Sequence, residues 1–65
     1  MDMAEAILRA KDFLYKANYS IYKLKSACFD EDKEKWHVKF GIYEQTVDVV
    51  LDNKTGRAIS FEVIE

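Results

Sequence analysis

The hydrophobic period of this chain changes at Asn18, and that change constrains the fold more than any other feature. Before Asn18, apolar residues recur with the 3.6-residue period of a helix. After it they alternate with a period of two, the signature of strands with one buried face. Met3, Ile7, Ala10, Leu14 and Ala17 form the first stripe, widened by Ala6 and Phe13, and predict a helix over residues 3–17. Glu5, Arg9, Asp12 and Lys16 fall on its opposite side at spacings suited to Glu5–Arg9 and Asp12–Lys16 pairs. Asp2 is placed to cap the start, with Glu5 three residues on as in a capping box, and Asn18 to stop the end.

Four strands are expected beyond it, over about residues 21–29, 35–43, 46–52 and 57–64. The second alternates most clearly, with Trp36, Val38, Phe40 and Ile42 inward and Lys35, His37, Lys39 and Gly41 outward. Tyr22, Leu24, Ser26 and Cys28 are expected inward on the first strand. Val47, Val49 and Leu51 follow on the third, and Ile59, Phe61 and Val63 on the fourth. Turns are expected at Asp30–Glu34, near Glu44–Gln45, and at Asp52–Gly56, where Gly56 suits a positive-φ position. An apolar helix stripe and an apolar sheet face each need a cover, and each fits the other. The short connections favour a meander. The fold class is therefore α+β: one N-terminal helix packed on a four-stranded antiparallel meander of order 1-2-3-4, in a single domain over residues 1–65.

Composition narrows the chemistry. A chain of 65 residues with one cysteine and one histidine can form neither an intramolecular disulfide nor a four-ligand structural zinc site. It must rely on its core, 49% of its residues being hydrophobic, or on self-association. A net charge of −2 argues against non-specific nucleic-acid binding. No apolar run is long enough to span a membrane. The opening residues Met1–Glu5 show no basic and apolar leader pattern, and the single thiol, Cys28, is expected to be buried. A cytoplasmic protein is the expectation. No catalytic, cofactor-binding or metal-binding set is expected: strand parity places Cys28 inward and His37 outward, out of hydrogen-bond contact. The acidic turn Asp30-Glu31-Asp32 lacks the glycine and distal glutamate of a calcium loop.

The helix with Ala6 and Ala10, the strand Trp36-His37-Val38-Lys39-Phe40 and the run Val49 to Ala58 with its Asp52-x-x-Thr55-Gly56 turn together resemble a PepSY-type domain over nearly the whole chain. The resemblance implies a helix before a meander and an inhibitory or binding role, with no catalytic residues. PepSY domains occur in propeptides of secreted metallopeptidases and as cell-envelope modules. The chain departs from that pattern in lacking a leader and a neighbouring peptidase domain, so a stand-alone intracellular relative with an unknown protein partner is the expectation.

The surface left over suggests association. Pairing Lys25 with Lys39 and Ala27 with His37 would give the first two strands a basic outer half, with Lys23 and Lys35 nearby. Asp48 and Glu62 would give the last two an acidic half, Asp48 neutralising Lys39 diagonally. Ile21, Phe29, Tyr43, Val50 and Ile64 are apolar residues expected on that outer face, and Leu8 and Tyr15 mark a helix flank. The candidate interaction surface is Lys23, Lys25, His37, Lys39, Tyr43, Val50, Ile64, Leu8 and Tyr15. A homodimer is a possible use of it. Glu62 and Glu65 discourage edge pairing of the last strand. The alternative function is small-ligand binding in a pocket between helix and sheet lined by Tyr15, Tyr19, Tyr22, Trp36 and Phe40.

Overall fold

A computed structural model describes residues 1–64. Helix α1 (Met3–Lys16) precedes strands β1 (Lys23–Asp30), β2 (Lys35–Ile42), β3 (Gln45–Asp52) and β4 (Ala58–Val63). The strands form one antiparallel sheet of order β1-β2-β3-β4, the expected α+β meander.

Local chemistry sets the helix ends. Asp2 caps the start, its carboxylate accepting from the Glu5 amide at 2.8 Å. Glu5 does not complete the reciprocal half of a capping box; it holds Arg9 instead, at 2.8 Å, and Asp12 pairs with Lys16 at 3.0 Å. At the other end Asn18 adopts φ 68°. The Tyr19 amide donates to the Leu14 carbonyl at 2.9 Å and the Asn18 amide to that of Tyr15 at 3.0 Å, the two bonds of a Schellman stop.

The core is a sandwich of Ala6, Ala10 and Leu14 from α1 against Trp36, Val38, Phe40 and Ile42 of β2 and Val47, Val49 and Leu51 of β3. Small alanines let the helix axis approach the sheet, and all three helix residues are fully buried. Width then decides what stays uncovered. One helix is about 10 Å across with its side chains, whereas four strands at about 4.8 Å spacing are wider. The helix touches all four strands, yet it leaves the inner residues of both edges partly open. On the inner side of β1, Leu24 is 43% exposed and Phe29 is 37% exposed. On β4, Phe61 and Val63 are similarly half-open. The inner face thus carries a surplus that the helix does not cover.

The first hairpin departs from the expected register. Cys28 lies opposite His37, Ala27 opposite Val38 and Phe29 opposite Trp36, and a bulge at Lys25 brings Leu24 opposite Phe40. Residues directly opposite share a face. Leu24, Ala27 and Phe29 therefore point inward with the buried β2 residues, while Ser26 and Cys28 point outward. This reverses the expectation for Ser26, Cys28 and Phe29. The expected Lys25–Lys39 and Ala27–His37 pairs are also replaced, Ser26 standing opposite Lys39. Tyr22 precedes the strand and is 78% exposed rather than inward. Ile21 packs against the core margin instead of the outer face. For Ser26, Cys28 and Phe29 the cause is one extra residue in the strand, since a bulge inverts the alternation beyond it. A second bulge displaces Ile59 from the inner row, so that Ala58 pairs with Leu51 and Ser60 with Val50.

The turn between β2 and β3 is Tyr43-Glu44, one residue earlier than expected, with Ile42 paired to Gln45. Tyr43 takes φ 53° and is 86% exposed, a backbone conformation that a bulky residue rarely adopts.

Candidate functional site

Three surfaces remain once the core is accounted for: the outer sheet face, a groove beside the helix, and the open strand edges. The outer face is built on β2, whose Lys35, His37, Lys39 and Gly41 alternate away from the core. Gly41 has no side chain, and the stems of Lys23 and Lys25 cross the space above it. Lys25 thereby reaches over β2 to donate to the Thr46 hydroxyl on β3. Among the described residues Lys23, Lys25 and Lys39 make no ion pair with a carboxylate. The basic character expected for this half of the face is thus present, although its register differs. Asp48 stands opposite Lys39 and Glu62 opposite Asp48, which places the acidic residues as expected.

Asp48 does not pair with Lys39. Its Oδ2 lies 3.4 Å from His37 Nδ1, and its Oδ1 is out of solvent with no partner among the described residues. Cys28, directly across from His37, is exposed, contrary to the buried thiol expected. The fold therefore sets Cys28 opposite His37, the two residues that the parity argument separated, and Asp48 reaches His37 from the diagonal position on β3. The bulge that reunites them has no glycine to announce it. No hydrogen bond joins Cys28 to His37 among the described residues, and the group lies on an open sheet face. A nucleophile needs both a base in contact and donors for a developing oxyanion. Among the described residues no three His, Cys, Asp or Glu side chains gather closely enough to hold a metal ion.

Of the apolar residues assigned to this face, Val50 stays there, half-buried opposite His37. Ile64 is 43% exposed just beyond β4. Tyr43 stands at the sheet's end, and Leu8 and Tyr15 are exposed on the helix flank, 67% and 58% respectively. Phe29 and Ile21, also expected on this face, are turned elsewhere.

The groove lies between α1 and the β3–β4 turn, a volume of about 990 Å³ bordered by Leu8, Asp12, Phe13, Lys16 and Arg57 among others. Its floor is a structural turn. Asp52 Oδ2 accepts from the Thr55 amide at 3.0 Å and the Thr55 hydroxyl at 2.9 Å, and Gly56 turns at φ 74°. These bonds hold the Asp52 carboxyl below its ordinary pKa, the Thr55 amide contributing most. Arg9 donates to the Gly56 carbonyl at 3.3 Å, and Trp36 Nε1 donates to the Asn53 side chain at 2.8 Å. The Asp-x-x-Thr-Gly signature thus fastens the turn to the helix and to β2. The aromatic residues considered for an inner pocket do not converge: Phe40 is fully buried, Tyr15 and Tyr22 are exposed, and Tyr19 packs on Phe61 with ring centres 5.6 Å apart.

The open edges were the feature least visible in the sequence. β1 carries Leu24 and Phe29 half-uncovered on its inner side, Phe29 leaning on Trp36 at 5.0 Å. β4 carries Phe61, with Phe13 at 5.5 Å, and Val63. Glu65, expected to discourage pairing there, lies outside the described residues. Among the described residues no helix is long and apolar enough to cross a membrane. Compared with protein-family models, curated proteins and solved structures, the chain matches none.

Proposed function

We propose that this chain is a non-enzymatic protein-interaction module, PepSY-like in its plan of helix and meander, that adds an extended protein segment or a copy of itself to a sheet edge. One observation carries the reading: the helix covers the central strands and leaves edge β1 with unpaired backbone beside half-exposed Leu24 and Phe29. Strand addition uses those two elements, backbone hydrogen bonds for affinity and alternate side chains for selectivity. The basic outer half-face around Lys23, Lys25 and Lys39 adds a preference for acidic residues on one side of the incoming strand. The Cys28, His37 and Asp48 group is read as surface rather than as a catalytic centre, since among the described residues it has no enclosing pocket and no thiol–imidazole bond. A cytoplasmic setting, in which an exposed thiol stays reduced, suits Cys28.

The test is selection of extended peptides from a displayed random library, together with light scattering across protein concentration. Peptides whose binding is lost in Leu24→Lys, or reversible self-association lost in the same variant, are the expected results. A strict monomer that selects no peptide overturns the reading.

A further inference from the structure

We infer that the partner at edge β1 is a second copy of this chain, joined by two-fold antiparallel pairing of β1 with β1 about Ala27. The inference rests on the edge-binding reading above and commits it to one occupant.

The bulge sets which side chains meet, because it puts Leu24 and Phe29, five residues apart, on the same face. In a regular strand, a two-fold axis through a residue brings positions equally far on either side into register, with matching faces. In β1 the bulge counts as one outward position, because Lys25 and Ser26 together stand between inward Leu24 and inward Ala27. Faces then run outward, inward, outward, inward, outward, inward, outward from Lys23 to Asp30, symmetric about Ala27. Turning a second copy onto this edge sets Leu24 against Phe29 on the inner side and Ala27 against Ala27. On the outer side it sets the Lys25–Ser26 bulge against Cys28, and Lys23 against Asp30. Each contact except the central one occurs twice.

Charge and exposure both favour this register. Lys23 is a cation without an ion-pair partner among the described residues; its stem lies over Gly41, and on pairing it swings to the edge to meet the carboxylate of Asp30 at both ends of the contact. Leu24 and Phe29, the apolar surplus on this margin, cover each other. Edge β4 offers no such match. Its residues Ala58–Val63 include one charge, Glu62, and no cation to meet it in a second copy. A lysine in a bulge ordinarily protects an edge from pairing. Here Lys25 is drawn away from the edge, across Gly41 to the Thr46 hydroxyl, which leaves the β1 backbone accessible. An edge contact of this length is small for a protein interface, so the dimer is expected to dissociate on dilution into the micromolar range.

The experiment uses the full chain with Ala27→Cys in a Cys28→Ser background. Directly opposed positions place their Cα atoms about 4.5–5.5 Å apart, within the span a disulfide bridges. Oxidised glutathione should convert this variant to a covalent dimer at concentrations where the parent dimer forms. In the unmodified chain, Lys23→Glu should raise the dimer dissociation constant about tenfold by setting like charges opposite at both ends, with the circular dichroism of the monomer unchanged. A dimer that neither crosslinks through position 27 nor responds to Lys23→Glu overturns the inference. A strict monomer that still selects displayed peptides at β1 overturns it too, while leaving the interaction-module reading intact. A monomer that selects none overturns both.

Discussion

The centre of this sheet and its margins have similar composition and opposite fates. β2 and β3 place Trp36, Val38, Phe40, Val47, Val49 and Leu51 beneath the helix, each nearly or wholly out of solvent. β1 and β4 place Leu24, Phe29, Phe61 and Val63 on the same face, yet each keeps more than a third of its surface in water. The residue types do not explain the difference; position in the sheet does, since β1 and β4 each lack a neighbouring strand on one side. Stability is concentrated in the central strands, and the apolar residues at the edges are available for a partner. In so small a domain the boundary between core and binding surface falls inside a single sheet face.

The sharpest way to break that comparison is to truncate one large apolar side chain in each region. Phe40→Ala should destabilise the fold by about 3–5 kcal/mol, enough to unfold much of a marginal domain. Leu24→Ala should cost about 1 kcal/mol or less, in keeping with a half-exposed site. Urea denaturation of dilute monomer compares the two directly. Equal losses would mean that the margin belongs to the core after all.

Next in size is the clamp that ties the β4 margin to the helix. At Gly56, φ is 74°, and an added Cβ would lie 2.7 Å from the Arg9 guanidinium. Gly56→Ala should cost about 1–2 kcal/mol, read as a lowered thermal midpoint. If the strain is in the backbone, shortening Arg9 in the same protein will not restore the midpoint.

The smallest effect concerns pH. The Asp52 carboxyl sits below its ordinary pKa because the folded turn stabilises its anion, chiefly through the Thr55 amide and then the Thr55 hydroxyl. A depressed carboxyl contributes stability that is complete above the ordinary carboxylate range and is lost as pH falls through the lowered value. Asp52→Asn should therefore be less stable than the parent at neutral pH, with the gap narrowing on acidification. Midpoints in urea from neutral pH down to the lower end of the carboxylate range test it. A constant gap would assign the turn's contribution to shape rather than charge.

How much of this was legible beforehand follows from which interactions are local. The helix, its caps at Asp2 and Asn18, the alternation of β2 and the order of strands are written in periods and end signals that a few residues carry. The Gly56 turn was legible for the same reason. The side chains of β1 were not, because their direction depends on hairpin register and on one inserted residue. Reading Cys28 as inward assumed an unbroken alternation from Tyr22, and the bulge at Lys25 breaks it. That single error hid the alignment of Cys28 with His37 and the inward turn of Phe29. The uncovered margins were missed for another reason. Periodicity tells which face is apolar, whereas coverage is a matter of widths in three dimensions.

The bulge at Lys25 has one more consequence. Read as faces rather than as letters, β1 is a palindrome, the same from Lys23 forward as from Asp30 backward, and a palindromic edge is one that its own copy can read. Deleting Lys25 would restore a plain alternation with the same order of faces, Leu24 and Phe29 still inward, whereas keeping Lys25 and straightening the bulge would turn one of the two to solvent. A single inserted residue, invisible to any count of hydrophobicity, thus decides how the rest of the strand must fold to keep its apolar side chains on one face.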